Sequence, residues 1–216
     1  MRSTTPILVA SALTLIVACK PAVQSQPVEL QQPVVQSVPR LDARMADSVI
    51  TMFGDVEGRL VADLFAKDGY YTMELLDAGA KVIAIDTDAG LLEVIRKTAT
   101  ERGFGPDRLE TRLVTPGDPG VSAGEVNHAL CTTTYLNIPD RSNFFTQVHA
   151  ALKKGGQLIV VDRLDATAPD GRPVRITDEV MDELQPCGFS DLIENTMKIP
   201  ERFIIQATEI TLPPPE

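Results

Sequence analysis

Two carboxylates that close short apolar runs are the residues best placed to do chemistry. Asp63 lies within RLVADLF (Arg59 to Phe65) and Asp86 ends KVIAID (Lys81 to Asp86); Ala66-Lys67-Asp68-Gly69-Tyr70-Tyr71-Thr72 follows the first run. A carboxylate at the end of a second strand can accept both hydroxyls of a ribose, and its spacing from the preceding strand-to-helix turn suits a ligand laid across both. Acids also end such strands as solvated or helix-capping groups, so the pair alone leaves both roles open. Metal chemistry finds no support, because His128 and His149 have no HxxxH spacing and the cysteines no CxxC. A bridge between Cys131 and Cys187 is permitted by an oxidising compartment but disfavoured by position, one inside an apolar strand and the other at a helix end.

The elements that position these residues alternate. Leu41 to Phe53 is amphipathic, with Met45, Val49, Met52 and Phe53 on one side, and Gly54 and Gly58 bracket the turn after it. Strands are predicted at 59–65, 81–86, 109–115, 126–132 and 157–162, and helices at 69–78, 90–102, 140–152 and 177–185. The third of these helices is stopped by Gly155-Gly156. Strands spaced by helices of this length require right-handed crossovers and a parallel sheet covered on both faces. Two final strands, 190–199 and 202–211, are joined by Pro200-Glu201, and so short a link makes them antiparallel. Ligands of such a doubly wound α/β sheet sit beyond the carboxyl ends of the strands at the switch point, where the loop after Asp63 falls.

The ends of the chain read differently. Met1-Arg2-Ser3, an apolar run from Pro6 to Ala18 and then Cys19 describe a secretory signal peptide over 1–18, too short to span a bilayer stably. Ile16-Val17-Ala18-Cys19 resembles the bacterial lipobox, which implies cleavage before Cys19, lipidation of that cysteine and an extracytoplasmic domain held at the inner or outer membrane. Residues 19–40, with four prolines and five glutamines and no apolar period, read as a tether; the folded domain is expected over 41–211 and a short tail over 212–216. The mature chain would carry 19 basic against 30 acidic residues, net −11, so nucleic acid is not an expected partner.

VADLFAKDGYYTMELLDAGAKVIAIDTD (61–88) and the later VTPGDPGVSAGEVNHALCTTTYLNIPDRSNFFTQVHAALKKGGQLIVVDRL (114–164) resemble class I S-adenosylmethionine-dependent methyltransferases. The first stretch is similar to the family's VADIGAGTGYFT segment, and the second to its fourth strand, the helix ending in LKPGG and its fifth strand. The resemblance covers about Val49 to Ile210. It implies a Rossmann-like seven-stranded sheet in the order 3-2-1-4-5-7-6, the last strand antiparallel, and S-adenosylmethionine as cofactor. It further implies that Asp63 orients the loop backbone, Gly69 allows close approach to the cofactor, Asp86 holds the ribose, Asp118 lies near the adenine, and Thr132 to Tyr135 line the methyl-transfer mouth. Tyr135 is the side chain there with acid–base capacity; capping the sheet is its alternative role.

The departures from the family pattern are Phe65 and Lys67, where it has its first two loop glycines, and Asn127, where it has an aspartate. Glycine serves such a loop by avoiding collision with the ligand or by adopting positive φ, so Phe65 is expected to intrude on the methionine end of the cofactor, the alternative being that its ring turns into the core beneath the sheet and leaves the pocket intact. Lys67 could bind a carboxylate but would repel a sulfonium. Two functions are consistent with this pattern: a lipid-anchored methyltransferase, or a catalytically inactive methyltransferase-fold lipoprotein that binds a partner or another ligand at the cell envelope. A nicotinamide enzyme is less favoured, since it needs its first glycines even more plainly.

Overall fold

The computed structural model of the chain describes residues 43–163, 176–195 and 202–209, all within one compact unit. The expected signal peptide over 1–18, Cys19, the expected tether, the Pro200-Glu201 link and the expected tail lie outside the described residues. No helix among the described residues is long and apolar enough to cross a membrane.

Helix α1 (Ala43–Thr51) precedes β1 (Leu60–Leu64), and α2 (Tyr70–Asp77), β2 (Lys81–Asp86), α3 (Ala89–Glu101) and β3 (Leu109–Leu113) follow. The second half comprises β4 (Val126–Thr132), α4 (Arg141–Ala151), β5 (Leu152–Arg163), α5 (Ile176–Leu184), β6 (Ser190–Glu194) and β7 (Arg202–Thr208). The seven strands form one sheet in the order β3-β2-β1-β4-β5-β7-β6. Strands β1 to β5 pair in parallel, and β7 runs antiparallel to both β5 and β6. This is the expected doubly wound, Rossmann-like arrangement, and its order reverses between β1 and β4.

Strand periodicity divides the core into two layers. Ala62, Leu64, Ile83, Ile85, Ala129, Cys131, Leu158 and Val160 face α4 and α5, where Phe144, Phe145, Val148, Val180 and Leu184 meet them. Val61, Val82, Ala84, Leu130, Ile159 and Val161 face α1 to α3, against Val49, Leu75, Leu76, Leu92 and Ile95. Both faces are covered, which is why β2 and β4 read as nearly continuous apolar runs. Cys131 and Cys187 are buried free thiols. Asn127, at the aspartate position, accepts the Leu60 N–H at 3.0 Å and ties the start of β1 to β4.

The largest departure from the expected boundaries is β5, predicted to begin at Gln157 after a glycine stop but running from Leu152. Leu152 already pairs with Val126. Gly155 takes φ +74, and a Cβ on Gly156 would lie 2.7 Å from the Asn127 carbonyl oxygen, so the glycines let the strand bend and approach its neighbour rather than end a helix.

Candidate functional site

The chain leaves β1 at its carboxyl end through a left-handed turn. Phe65 has φ +59 and Lys67 φ +53, so the backbone adopts at two side-chain-bearing residues the conformation that glycine takes at least cost. Ala66 between them donates to the Ile85 carbonyl oxygen at 2.9 Å, holding the turn against the end of β2. The two side chains then part. The Phe65 ring stacks on Phe144 at 5.7 Å between centroids and packs against the core under α4. The expectation that Phe65 intrudes on the cofactor's methionine end is therefore corrected: apolar burial draws the ring to the α4 face.

Lys67 is the residue that crosses the switch point. Its Nζ donates to the Thr133 carbonyl oxygen at 2.7 Å, bridging the loop after β1 to the loop after β4. Burial holds the ammonium's pKa below its usual value, opposed chiefly by the charges of Asp162 and Asp86. Thr133 has φ +56 and donates its own N–H to Val161 at 2.8 Å, which fixes the acceptor in place.

Asp86 is 4% exposed and ties three segments together. One carboxylate oxygen accepts the Lys67 N–H at 2.8 Å and the other the Asp88 N–H at 3.0 Å, so each oxygen keeps further acceptor capacity. Asp88 then caps α3 by accepting from Gly90 and Leu91. Asp63 accepts the Thr72 hydroxyl at 2.6 Å, anchoring the first turns of α2. Burial raises its pKa to about 6, against the lowering effect of the Thr72 hydrogen bond.

The remaining expected residues divide. Gly69 caps α2 at φ +77, and a Cβ there would meet Ile95 Cγ1 at 2.6 Å, so the need for glycine comes from this helix start and its packing on α3. Asp118 is exposed and accepts the Gly120 N–H at 2.8 Å in the turn after β3. Thr132, 6% exposed, closes β4 beside this cluster, and its carbonyl oxygen accepts the Thr134 hydroxyl at 3.1 Å.

Tyr135 is placed otherwise than a catalytic acid or base requires. It sits in a 3-10 turn (Tyr135–Asn137), 1% exposed, stacked on Phe145 at 5.2 Å with the Arg141 guanidinium 5.4 Å from its ring centroid. Its hydroxyl donates to Glu183 at 2.6 Å, and Arg141 holds the same carboxylate through two hydrogen bonds of 2.7 Å. Burial and the Glu183 carboxylate push its pKa far above the usual phenol value. The arrangement ties the β4 loop to α4 and α5, closer to the capping alternative than to proton transfer.

Three polar residues at this end of the sheet escaped sequence reasoning: Tyr71, Asp162 and Arg202. The Tyr71 hydroxyl and the Arg202 Nη1 are buried without a hydrogen-bond partner. Asp162 is 5% exposed. The available signal was a charged residue on either side of the predicted two-strand closure, IVVDR and RFII. Among the described residues no group of three or more His, Cys, Asp or Glu could hold a metal ion.

Residues 61–156 match the family model described as "Methyltransferase domain". No curated protein matches the chain. Among solved structures, a SAM-dependent methyltransferase from Aquifex aeolicus is similar at TM-score 0.64 and 19% identity, covering 76% of this chain and 89% of its own. One from Mesorhizobium loti is similar at TM-score 0.61 and 15% identity, covering 75% and 96%. The [4+2]-cyclase SpnF is similar at TM-score 0.66 and 15% identity, covering 77% and 80%. The fold is thus that of the class I S-adenosylmethionine-dependent methyltransferases. At these identities the likeness carries the architecture, and SpnF's name shows that one such architecture serves a cyclase.

Proposed function

We propose that this chain is a lipoprotein, held through Cys19 at a bacterial cell membrane or outer membrane outside the cytoplasm, whose methyltransferase fold serves as a binding module with methyl transfer suppressed. The observation that carries this reading is the Lys67 bridge, with Nζ 2.7 Å from the Thr133 carbonyl oxygen across the switch point. A sulfonium held in that interval would meet the Lys67 ammonium as a like charge, with Asp162 and Asp86 as the opposing charges nearby. Two unit charges about 4 Å apart at an effective dielectric near 20 repel by roughly 4 kcal/mol, close to three decades in affinity. The residues present therefore do not fit this cofactor at its reactive end, although Asp86 retains acceptor capacity suited to a ribose. The sequestered Tyr135 leaves the proposed mouth without its expected acid–base group, and the loop's two non-glycine turns fit a degenerate cofactor loop.

An active S-adenosylmethionine-dependent methyltransferase is the second reading. It is favoured by Phe65, whose ring packs toward α4, and by Asp63 and Asp86, which lie toward the carboxyl ends of the neighbouring strands β1 and β2. Calorimetric titration of the purified chain with S-adenosylmethionine and S-adenosylhomocysteine decides between the two. Weak binding of the charged form supports the binding module; micromolar or tighter binding of both, at roughly −8 kcal/mol or beyond, supports the enzyme.

A further inference from the structure

The sheet ends on an open edge. Among the described residues β6 has a strand neighbour on one side only, β7, so the backbone N–H and C=O groups on its outer side are left to a further strand. Helix α5 packs over β7, and between it and the edge strand lies a cleft of about 390 Å³. Met181, Asp182 and Gln185 line it from the helix and the turn after it, and Phe189, Asp191 and Leu192 from the strand. Its floor is apolar: Phe189 is buried, and Met181 and Leu192 are half-buried against the core layer under α4 and α5. Ile193, 55% exposed, faces the other side of the sheet and leaves apolar surface there too.

The rim of the cleft is acidic. Asp182 and Asp191 are exposed, neither makes a hydrogen bond or an ion pair among the described residues, and none of the lining residues is basic. The pairing of β6 with β7 shifts register between Ser190 and Ile193, and a bulge of this kind re-aims a side chain, here Asp191 into the cleft wall. The cleft stands apart from the switch point. β6 lies four strands out from β1, roughly 19 Å at ordinary strand spacing, and Ser190 is aligned through Thr208 with Gln157, toward the amino ends of the parallel strands.

We propose that the cleft and the β6 edge dock an extended, basic segment of a protein partner. The segment adds a strand beside β6, sets an apolar side chain against Met181, Phe189 and Leu192, and brings a lysine or arginine to Asp182 and Asp191. Backbone pairing supplies affinity in this mode, and pockets for alternate side chains supply selectivity. Charge complementarity chooses the occupant. A second copy of this chain, net −10, would set Asp191 and Glu194 of its own edge against the same acids, and an anionic lipid surface would meet them as like charge.

The test uses the full chain in detergent, with a capped, labelled heptapeptide of alternating lysine and valine as probe and one of alternating glutamate and valine as control. Fluorescence anisotropy reads affinity and amide hydrogen exchange reads the edge. Both are measured for the unmodified chain, for Asp182→Asn combined with Asp191→Asn, and for Asp107→Asn, an exposed acid outside the cleft. Asparagine tolerates the φ of +49 at position 191, so the double variant keeps the edge. The lysine–valine peptide is expected to bind and to slow exchange over 190–194 but not over the other edge strand, β3. The double variant is expected to bind it roughly tenfold more weakly, with no change in Asp107→Asn. No binding, equal binding of the glutamate peptide, protection away from β6, or an equal effect of Asp107→Asn overturns the proposal. A peptide-free chain that sediments as a dimer with 190–194 protected overturns it in favour of a second copy. S-adenosylmethionine titration of the double variant is expected to match the unmodified chain, so the reading of the switch point is decided separately.

Discussion

Replacing Phe65 with glycine restores the residue the family pattern carries, yet the structure predicts a less stable protein with no gain in cofactor affinity. The φ of +59 at Phe65 costs a side-chain-bearing residue about 1–2 kcal/mol, which glycine recovers. Against this stands the ring, stacked on Phe144 at 5.7 Å and packed on the core under α4. Truncating a fully buried phenylalanine costs about 3–5 kcal/mol; a half-buried one loses roughly half of that, and the stacking adds about 0.5–1.5 kcal/mol. Glycine's freedom in the unfolded chain takes back about 0.5–1 kcal/mol more. The balance is a net loss of about 1.5–3 kcal/mol, read as a lower urea midpoint at unchanged m-value. A Phe65→Gly protein more stable than the original would refute the packing account. A large gain in S-adenosylmethionine affinity in the same variant would return the obstruction to Phe65.

Tyr135→Phe should lower stability by about 1 kcal/mol through loss of one hydrogen bond to Glu183, while Arg141 keeps that carboxylate paired; a change in ligand affinity instead of stability would restore a role at the site. Burial depresses the His128 pKa to about 4, so the unfolded chain takes up its proton first and stability falls as pH drops from about 6.5 toward 4. Asp63, raised to about 6, acts in the opposite sense: its contribution is full below its ordinary 3.8 and is lost as pH rises through 6. The two offset each other, and His128→Asn should therefore yield a protein whose urea midpoint rises on acidification from 6 to 4; an unchanged profile would contradict the assignment. Mass spectrometry of the mature N-terminus should find an acylated Cys19, and an unmodified Cys19 or an intact Met1 would end the lipoprotein proposal.

Much of the fold was legible because the elements announce themselves locally. KVIAID and VNHALCT are apolar enough for a strand buried on both faces, and they form β2 and β4 at the expected residues. Gly155 and Gly156 misled because a glycine pair reads equally as a helix stop or as a bend within a strand, and only the approach to the Asn127 carbonyl decides. In the site, Asp63 and Asp86 were visible as strand-ending acids. The direction of a side chain leaving a positive-φ turn was not: Phe65 and Lys67 are separated by one residue, yet one enters the α4 core and the other bridges to Thr133. Arg202 lies 131 positions from Tyr71 in sequence, and only the placement of β7 beside β5 brings it to this end of the sheet. Tyr135 was visible as a titratable group, but its sequestration depends on Glu183 in α5.

On the proposed function, the Lys67 ammonium, rather than the loop's glycine deficit as such, is what weakens S-adenosylmethionine binding. Lys67→Ala keeps the positive-φ backbone position occupied by a side-chain-bearing residue while removing the charge and the bridge to Thr133. Parallel calorimetric titrations of the unmodified chain and Lys67→Ala with S-adenosylmethionine measure this directly. Weak binding to the unmodified chain is expected, with a gain of roughly two to three decades in the variant and a smaller gain for S-adenosylhomocysteine, whose sulfur carries no charge. Equal affinities for S-adenosylmethionine in the two proteins, or tight binding to the unmodified chain, would contradict it.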